Sequence, residues 1–294
     1  MVKISTKKLN LTFPDLKIIT KKKYLIFESI KSLDEDNKDS IIWISNEKNI
    51  EDKILFLNNC RSKIIICNLN ISKIKKIIND KTFIISNNPR LTMFKLSNYF
   101  FANSKCLKVP KLQNINKNNF IYTKKIGKQP MIRENVVIYE NVEIGKNIYI
   151  NAGSTLGTEG FSFEKIDFNS KTSFERLHHN GKLIIGDNVF IGSNVSICRG
   201  NLKNTIIHNN VKINNNVHIG HNVEIGNNVI IMANVTICGS VKIGDNVEIN
   251  AGSTIRDFVE IGDYSRVGMG SVVTKNIPKK ELWFGNPASL KKKL

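Results

Sequence analysis

Between Val211 and Ile237 the chain reads V-K-I-N-N-N-V-H-I-G-H-N-V-E-I-G-N-N-V-I-I-M-A-N-V-T-I. Ile213, Ile219, Ile225, Ile231 and Ile237 follow one another at six-residue intervals, and Val211, Val217, Val223, Val229 and Val235 stand two residues before them. The unit is V-x-I-G-x-x, with Gly or Asn in the turn. Outward from this stretch the count continues without a slip from Ile207 through Ile243, Ile249, Ile255, Ile261 and Val267 to Val273. Ile132, Ile138, Ile144, Ile150 and Leu156 repeat it earlier, and Ile185, Ile191 and Ile197 repeat it in shifted phase, so two insertions interrupt one array. Hexad repetition of this kind is the signature of a parallel β-helix.

Each hexad supplies a short strand with β-branched residues facing inward and a turn whose Gly or Asn tolerates positive φ. Three hexads close one triangular coil, so residues 18 apart stack one above another, and the array from Phe120 to about Lys275 makes six or seven coils. Each stacked Ile or Val contributes roughly 1.5–3 kcal/mol of burial, which is ample core without disulfides. The expected fold is mainly β: a parallel β-helix over 120–275 with a projecting insertion at 157–184, a small α/β domain over 1–104, a polar linker over 105–119 and a tail over 276–294.

The front domain shows no sixfold count. Ser40–Ser45 (S-I-I-W-I-S) and Lys63–Cys67 (K-I-I-I-C) read as buried strands, Ile50–Asn59 and Leu69–Asp80 as helices, and Arg90–Phe101 as a last amphipathic segment after the Asn87-Asn88-Pro89 turn.

Composition fits a reduced, cytoplasmic protein. The five cysteines, an odd number with no C-x-x-C pair, suggest neither a disulfide framework nor a zinc ribbon. The opening M-V-K-I-S-T-K-K-L-N has no apolar core, so no leader is expected, and no apolar run approaches the roughly 18 residues of a membrane span. A formal charge of +19 raises nucleic acid as a partner. Against it, the lysines are scattered instead of interleaved with aromatics, and Lys, Asn and Ile are inflated together. The diffuse positive field suits small anionic substrates such as nucleotide sugars or coenzyme A.

Two features of the array carry chemistry. All five histidines, His178, His179, His208, His218 and His221, fall in one stretch of 44 residues. His178 and His179 lie on the long insertion, where they meet substrate or an adjacent subunit. His208 and His218 read as structural, and an H-x-x-H metal site at His218 and His221 lacks the Cys or carboxylate that would complete it. His221 sits at a turn, and Gly239, 18 residues later, stacks directly above it. A glycine there leaves backbone N–H exposed beside an imidazole. That pairing offers a base for a nucleophile and a donor for an oxyanion, as acyl transfer requires.

The runs H-H-N-G-K-L-I-I-G-D-N-V-F-I-G (178–192), C-R-G-N-L-K-N-T-I-I (198–207) and K-I-N-N-N-V-H-I-G-H-N-V-E-I-G (212–226), with I-I-W-I-S-N (41–46) in the front domain, resemble the UDP-3-O-acylglucosamine N-acyltransferases of lipid A synthesis. The resemblance implies a left-handed coil, a homotrimer with each active site between two coils, His221 as general base, the Gly239 N–H as oxyanion donor, and Trp43 and Asn46 holding uracil. Trp43 as a plain core aromatic is the competing reading. The chain departs from the family at Asn214, where an Asp precedes the catalytic histidine by seven residues, at Phe258, where a second active-site histidine falls, and at Asn49, where an aromatic is expected.

The ending, with G-N-P-A at Gly285, Asn286, Pro287 and Ala288 followed by Lys291–Lys293, instead resembles coenzyme A-dependent hexapeptide sugar N-acetyltransferases. There the loop lies near the donor's pantetheine; a helix cap is the alternative. The expectation from these resemblances is an N-acyltransferase acting on a nucleotide-linked amino sugar, with no permanently bound cofactor or metal. Acetyl-CoA is the favoured donor, and a hydroxyacyl carrier protein acting on UDP-3-O-acylglucosamine is the second reading.

Overall fold

The computed structural model describes residues 2–31, 36–44, 55–57, 59–68, 81–101, 119–168 and 171–294. They fall into two compact units: Met1–Asn103 with Ser162–His178, and Ser104–Phe161 with His179–Leu294. Asn46, Asn49 and the helix expected over Leu69–Asp80 lie outside the described residues, as does most of the helix expected over Ile50–Asn59 and of the linker.

In the first unit, strands at Ser29–Lys31, Ser40–Trp43, Ile64–Cys67 and Thr82–Ile85 run parallel, and Lys17–Ile19 pairs antiparallel with Thr82–Ile85. The central strands are continuous apolar runs because a parallel sheet is covered on both faces. Ile41, Ile42, Ile65, Ile66, Phe83 and Ile84 are all buried. A helix over Pro89–Phe101 follows, its first turn capped by Asn88 Oδ1, which accepts from Leu91 N–H at 3.0 Å.

A hairpin of Phe163–Phe168 and Lys171–Arg176 belongs to this unit, although the sequence assigns it to the coil's insertion. The reason is a set of long-range hydrogen bonds. Asn98 on the helix donates through Nδ2 to Glu175 Oε1 at 3.2 Å and to the Arg176 carbonyl at 2.6 Å, and its Oδ1 accepts from His178 N–H at 3.1 Å.

The second unit is the β-helix. Three sheets, of eight, six and nine strands, form its faces, parallel throughout except for the last strand of the nine. Strand pairing sets Ile219 against Ile237, Ile237 against Ile255 and Ile255 against Val273, the 18-residue stacking that the hexads require. Ile144 pairs Ile185, 41 residues on, and Ile185 pairs Ile207, 22 residues on. Those two steps locate the long insertion and a short one at Arg199–Asn204. The inward Ile and Val columns are almost wholly buried in one continuous core.

At most corners one residue of the turn takes a left-handed φ, and ten of these non-glycine positions are Asn, from Asn135 to Asn246. Asn is the side chain that tolerates this conformation best after glycine. The last coil is closed by Glu281–Phe284, which pairs with Arg266–Val267, and by an antiparallel return at Ser289–Lys293. The turn between them is the G-N-P-A run. Ala288 is buried against the coil's core and donates its N–H to the Val272 carbonyl at 2.8 Å. In this chain the loop therefore closes the solenoid.

Candidate active site

His221 follows the strand His218–Ile219, on the turn that leads into the strand Glu224–Ile225. Its imidazole lies over the turn of the next coil. A Cβ built on Gly239 would fall 2.9 Å from His221 Cε1, 3.0 Å from Nε2 and 3.3 Å from Nδ1. The stacking of these two residues thus places an imidazole against a bare backbone segment. Gly220 adds to the opening, since a Cβ there would stand 2.9 Å from the Gly239 nitrogen.

A second glycine flanks the ring. A Cβ on Gly160 would meet His221 Cδ2 and His179 Cε1, each at 2.9 Å. His179, expected against substrate or an adjacent subunit, is buried beside His221, the two rings meeting edge to face at 5.4 Å between centroids and 87°. Gly160 N–H donates to His179 Nδ1 at 3.2 Å. Arg199, from the short insertion, donates through Nε to the His179 carbonyl at 3.1 Å and through Nη2 to Glu159 Oε1 at 2.7 Å. Sequence reading missed Glu159, Gly160 and Arg199, because they come from two insertions that have no hexad phase.

Burial sets the electrostatics. Desolvation lowers the pKa of His179 to about 4 and also lowers that of His221 below the usual 6.5. Among the described residues His221 Nδ1 is buried with no hydrogen-bond partner, and the ring can take a proton at Nε2 only as the tautomer that carries its hydrogen on Nδ1. The imidazole is neutral at pH 7 and able to accept a proton.

The remaining expected residues sit elsewhere. Asn214 occupies a different corner of the coil, and its Oδ1 accepts from Asn215 N–H at 2.7 Å. Trp43 ends its parallel strand half-buried, beside Ile66 on the neighbouring strand. His178 belongs to the first unit through Asn98. His208 faces outward near Glu224 Oε1 at 3.5 Å, and His218 is exposed on its strand. Among the described residues no three His, Cys, Asp or Glu side chains converge as a metal site would need.

Family models match this same architecture. Bacterial transferase hexapeptide repeats match residues 123–158, 204–239 and 240–275, and the hexapeptide repeat of succinyl-transferase matches 182–221 and 222–257. The chain carries transferase hexapeptide repeats. The matched stretches include both His221 and Gly239, and the coil they build is the left-handed β-helix solenoid of this class.

The chain is homologous to UDP-3-O-acylglucosamine N-acyltransferases. It is 40% identical to that of Pseudomonas fluorescens over 87 residues, covering 30% of this chain and 24% of the relative. It is 34% identical to that of Hahella chejuensis over 109 residues, covering 37% and 30%. The chain thus spans less than a third of the length of these relatives. A solved UDP-N-acetylglucosamine acyltransferase from Bacteroides fragilis superposes with a TM-score of 0.51 at 25% identity, covering 60% of this chain and 73% of that one.

Proposed function

We propose that the protein is an N-acyltransferase that moves an acyl group from a thioester donor to the amine of a UDP-linked amino sugar, with His221 as the base. The observation that carries this is the neutral imidazole of His221 lying over the bare backbone of Gly239. In the reaction the sugar nitrogen attacks the thioester carbon, forming the C–N bond. His221 takes the proton that the amine loses, at Nε2, since Nδ1 is buried. The Gly239 N–H faces the oxyanion. Collapse of the intermediate breaks the C–S bond, and the thiolate leaves with the proton returned by the imidazole.

Of the two readings weighed from the sequence, the names of the relatives favour UDP-3-O-acylglucosamine or a close analogue as acceptor, the reading paired with a hydroxyacyl carrier protein as donor. The acetyl-CoA reading keeps one support in the exposed Lys291–Lys293 strand beside the G-N-P-A loop. Trp43 would hold the uracil end of the nucleotide, together with Asn46. Asn214, which lies on another corner from His221, would steady the imidazole only across a groove between copies, as in a homotrimer. Among the described residues no helix is long and apolar enough to cross a membrane, consistent with a proposed place in the cytoplasm.

The test is turnover by mass spectrometry on UDP-3-O-acylglucosamine and on other UDP- and dTDP-linked amino sugars, with hydroxyacyl carrier protein and acetyl-CoA offered separately. His221→Ala is expected to lower kcat by roughly 10²–10⁴. Near-normal turnover by that variant would overturn the assignment.

A further inference from the structure

Two exposed aromatics, Phe258 and Tyr264, break the rule of the coil's corners, and Phe258 is the one stacked above the turn that carries His221. It stands one coil above Ser240 and two above Asn222 in a column of left-handed residues, with φ of 61°, 62° and 60°. A bulky aromatic in that region is a backbone outlier, and such outliers cluster at functional sites. The ring is also 73% exposed. Both features are unfavourable in the free chain, and Asn, the usual residue of these corners, would remove both.

Its position links it to the reacting atoms. Phe258 N–H donates to the Gly239 carbonyl at 3.2 Å, so the ring projects from the residue bonded to the glycine beside His221. A second exposed aromatic, Phe161, 88% exposed, immediately follows Gly160, which touches the other edge of the His221 ring. Two apolar rings therefore project from residues next to the imidazole's two glycine neighbours.

We propose that Phe258, with Phe161, forms an apolar lip for the acyl chain of the donor, and that Phe258 sets the preference for a long chain over acetyl. The proposal rests on the acyltransferase reading of His221 and Gly239. A thioester carbonyl at the Gly239 N–H would start its hydrocarbon tail within reach of Phe258, and burial of that tail covers the ring. A second copy of the chain seated on Phe258 is the competing occupant.

The experiment compares the full-length protein with Phe258→Asn, Phe258→Leu and, as a control on a different corner, Tyr264→Asn. Tyr264 is likewise aromatic, exposed and left-handed, with φ of 60°. Donors are acetyl, medium-chain and long-chain thioesters of acyl carrier protein, with UDP-3-O-acylglucosamine as acceptor. Both Asn variants should melt no lower than the parent. Phe258→Asn alone should lose about tenfold or more in kcat/KM with the long-chain donor and little with acetyl, and Phe258→Leu should recover most of the loss.

An equal loss with every donor, no loss at all, turnover by the parent with acetyl only, or dissociation of an oligomer on Phe258→Asn would each overturn the proposal. If Phe258→Asn does not fold, long-chain turnover by Phe258→Leu below that with acetyl, relative to the parent, decides against an apolar lip that Leu preserves. Retained activity in His221→Ala strikes the parent reading instead, and so is distinguishable.

Discussion

His221 Nε2 lies 3.0 Å from where a methyl group on Gly239 would sit, so the imidazole and the next coil's backbone share one space that admits no side chain. The contact is fixed by the 18-residue coil, because the neighbouring strands pair His218 with Thr236 and Ile219 with Ile237. Gly239→Ala must therefore move either the ring or the backbone. Loss of a well-placed oxyanion donor costs about 10²–10³ in kcat, and a drop of that size is expected with KM little changed. Steady-state kinetics with the carrier-protein donor would reveal it, and kcat within about threefold of the parent would remove Gly239 from the mechanism.

The depressed pKa of His221 makes a second prediction. Only the neutral ring is a base, and burial lowers its pKa below 6.5. The acid limb of kcat/KM should accordingly fall at a pH below that of an unperturbed histidine, leaving more than half of the plateau activity at pH 6.5. A profile measured from pH 4.5 to 8 that breaks above 6.5 would contradict a desolvated, unpaired imidazole.

His179 links pH to stability. Its pKa is about 4 in the folded chain and about 6.5 when unfolded, so between these values the unfolded state binds the extra proton. Stability is complete above pH 6.5 and declines as pH falls toward 4, by up to about 3 kcal/mol from this group. Denaturant midpoints at pH 7, 5.5 and 4.5 should show the decline. In His179→Gln the slope should flatten over the same range, and an unchanged slope would mean that His179 is not held neutral.

The coil was legible because its physics is local and repeated: one inward Ile per hexad and one left-handed corner residue, both visible in Ile219 and Asn222. The placement of Gly239 over His221 follows by counting 18 residues. What counting could not supply lies in the insertions. Arg199, Glu159 and Gly160 reach the ring through loops whose paths depend on particular hydrogen bonds, not on a period. For the same reason the sequence leaves His179 open between substrate and an adjacent subunit, and its burial beside His221 is a tertiary fact. The hairpin at Phe163–Arg176 joins the first unit through Asn98, a partner far away in sequence.

The corner that carries His221 offers a last prediction. Asn222 adopts φ of 60°, and its Nδ2 donates to Asn201 Oδ1 at 2.7 Å while its Oδ1 accepts from Asn201 N–H at 2.8 Å. Its own N–H donates to Thr205 Oγ1 at 2.9 Å, so this one residue ties the turn after His221 to the short insertion and to the strand that follows it. Asn222→Ala loses two side-chain hydrogen bonds at about 1 kcal/mol each and exchanges a side chain that tolerates the left-handed region for one that does not, although both carry a Cβ. The expected destabilisation is therefore about 2–3 kcal/mol. Asn222→Gly loses the same hydrogen bonds but keeps the backbone conformation at little steric cost. It should fall short of the alanine variant by roughly the left-handed term, although glycine's extra unfolded-state entropy narrows the gap. Urea unfolding of the three proteins separates the terms. If alanine and glycine destabilise equally and by less than about 1 kcal/mol, the Asn201–Asn222 pair contributes nothing to the corner that positions the base.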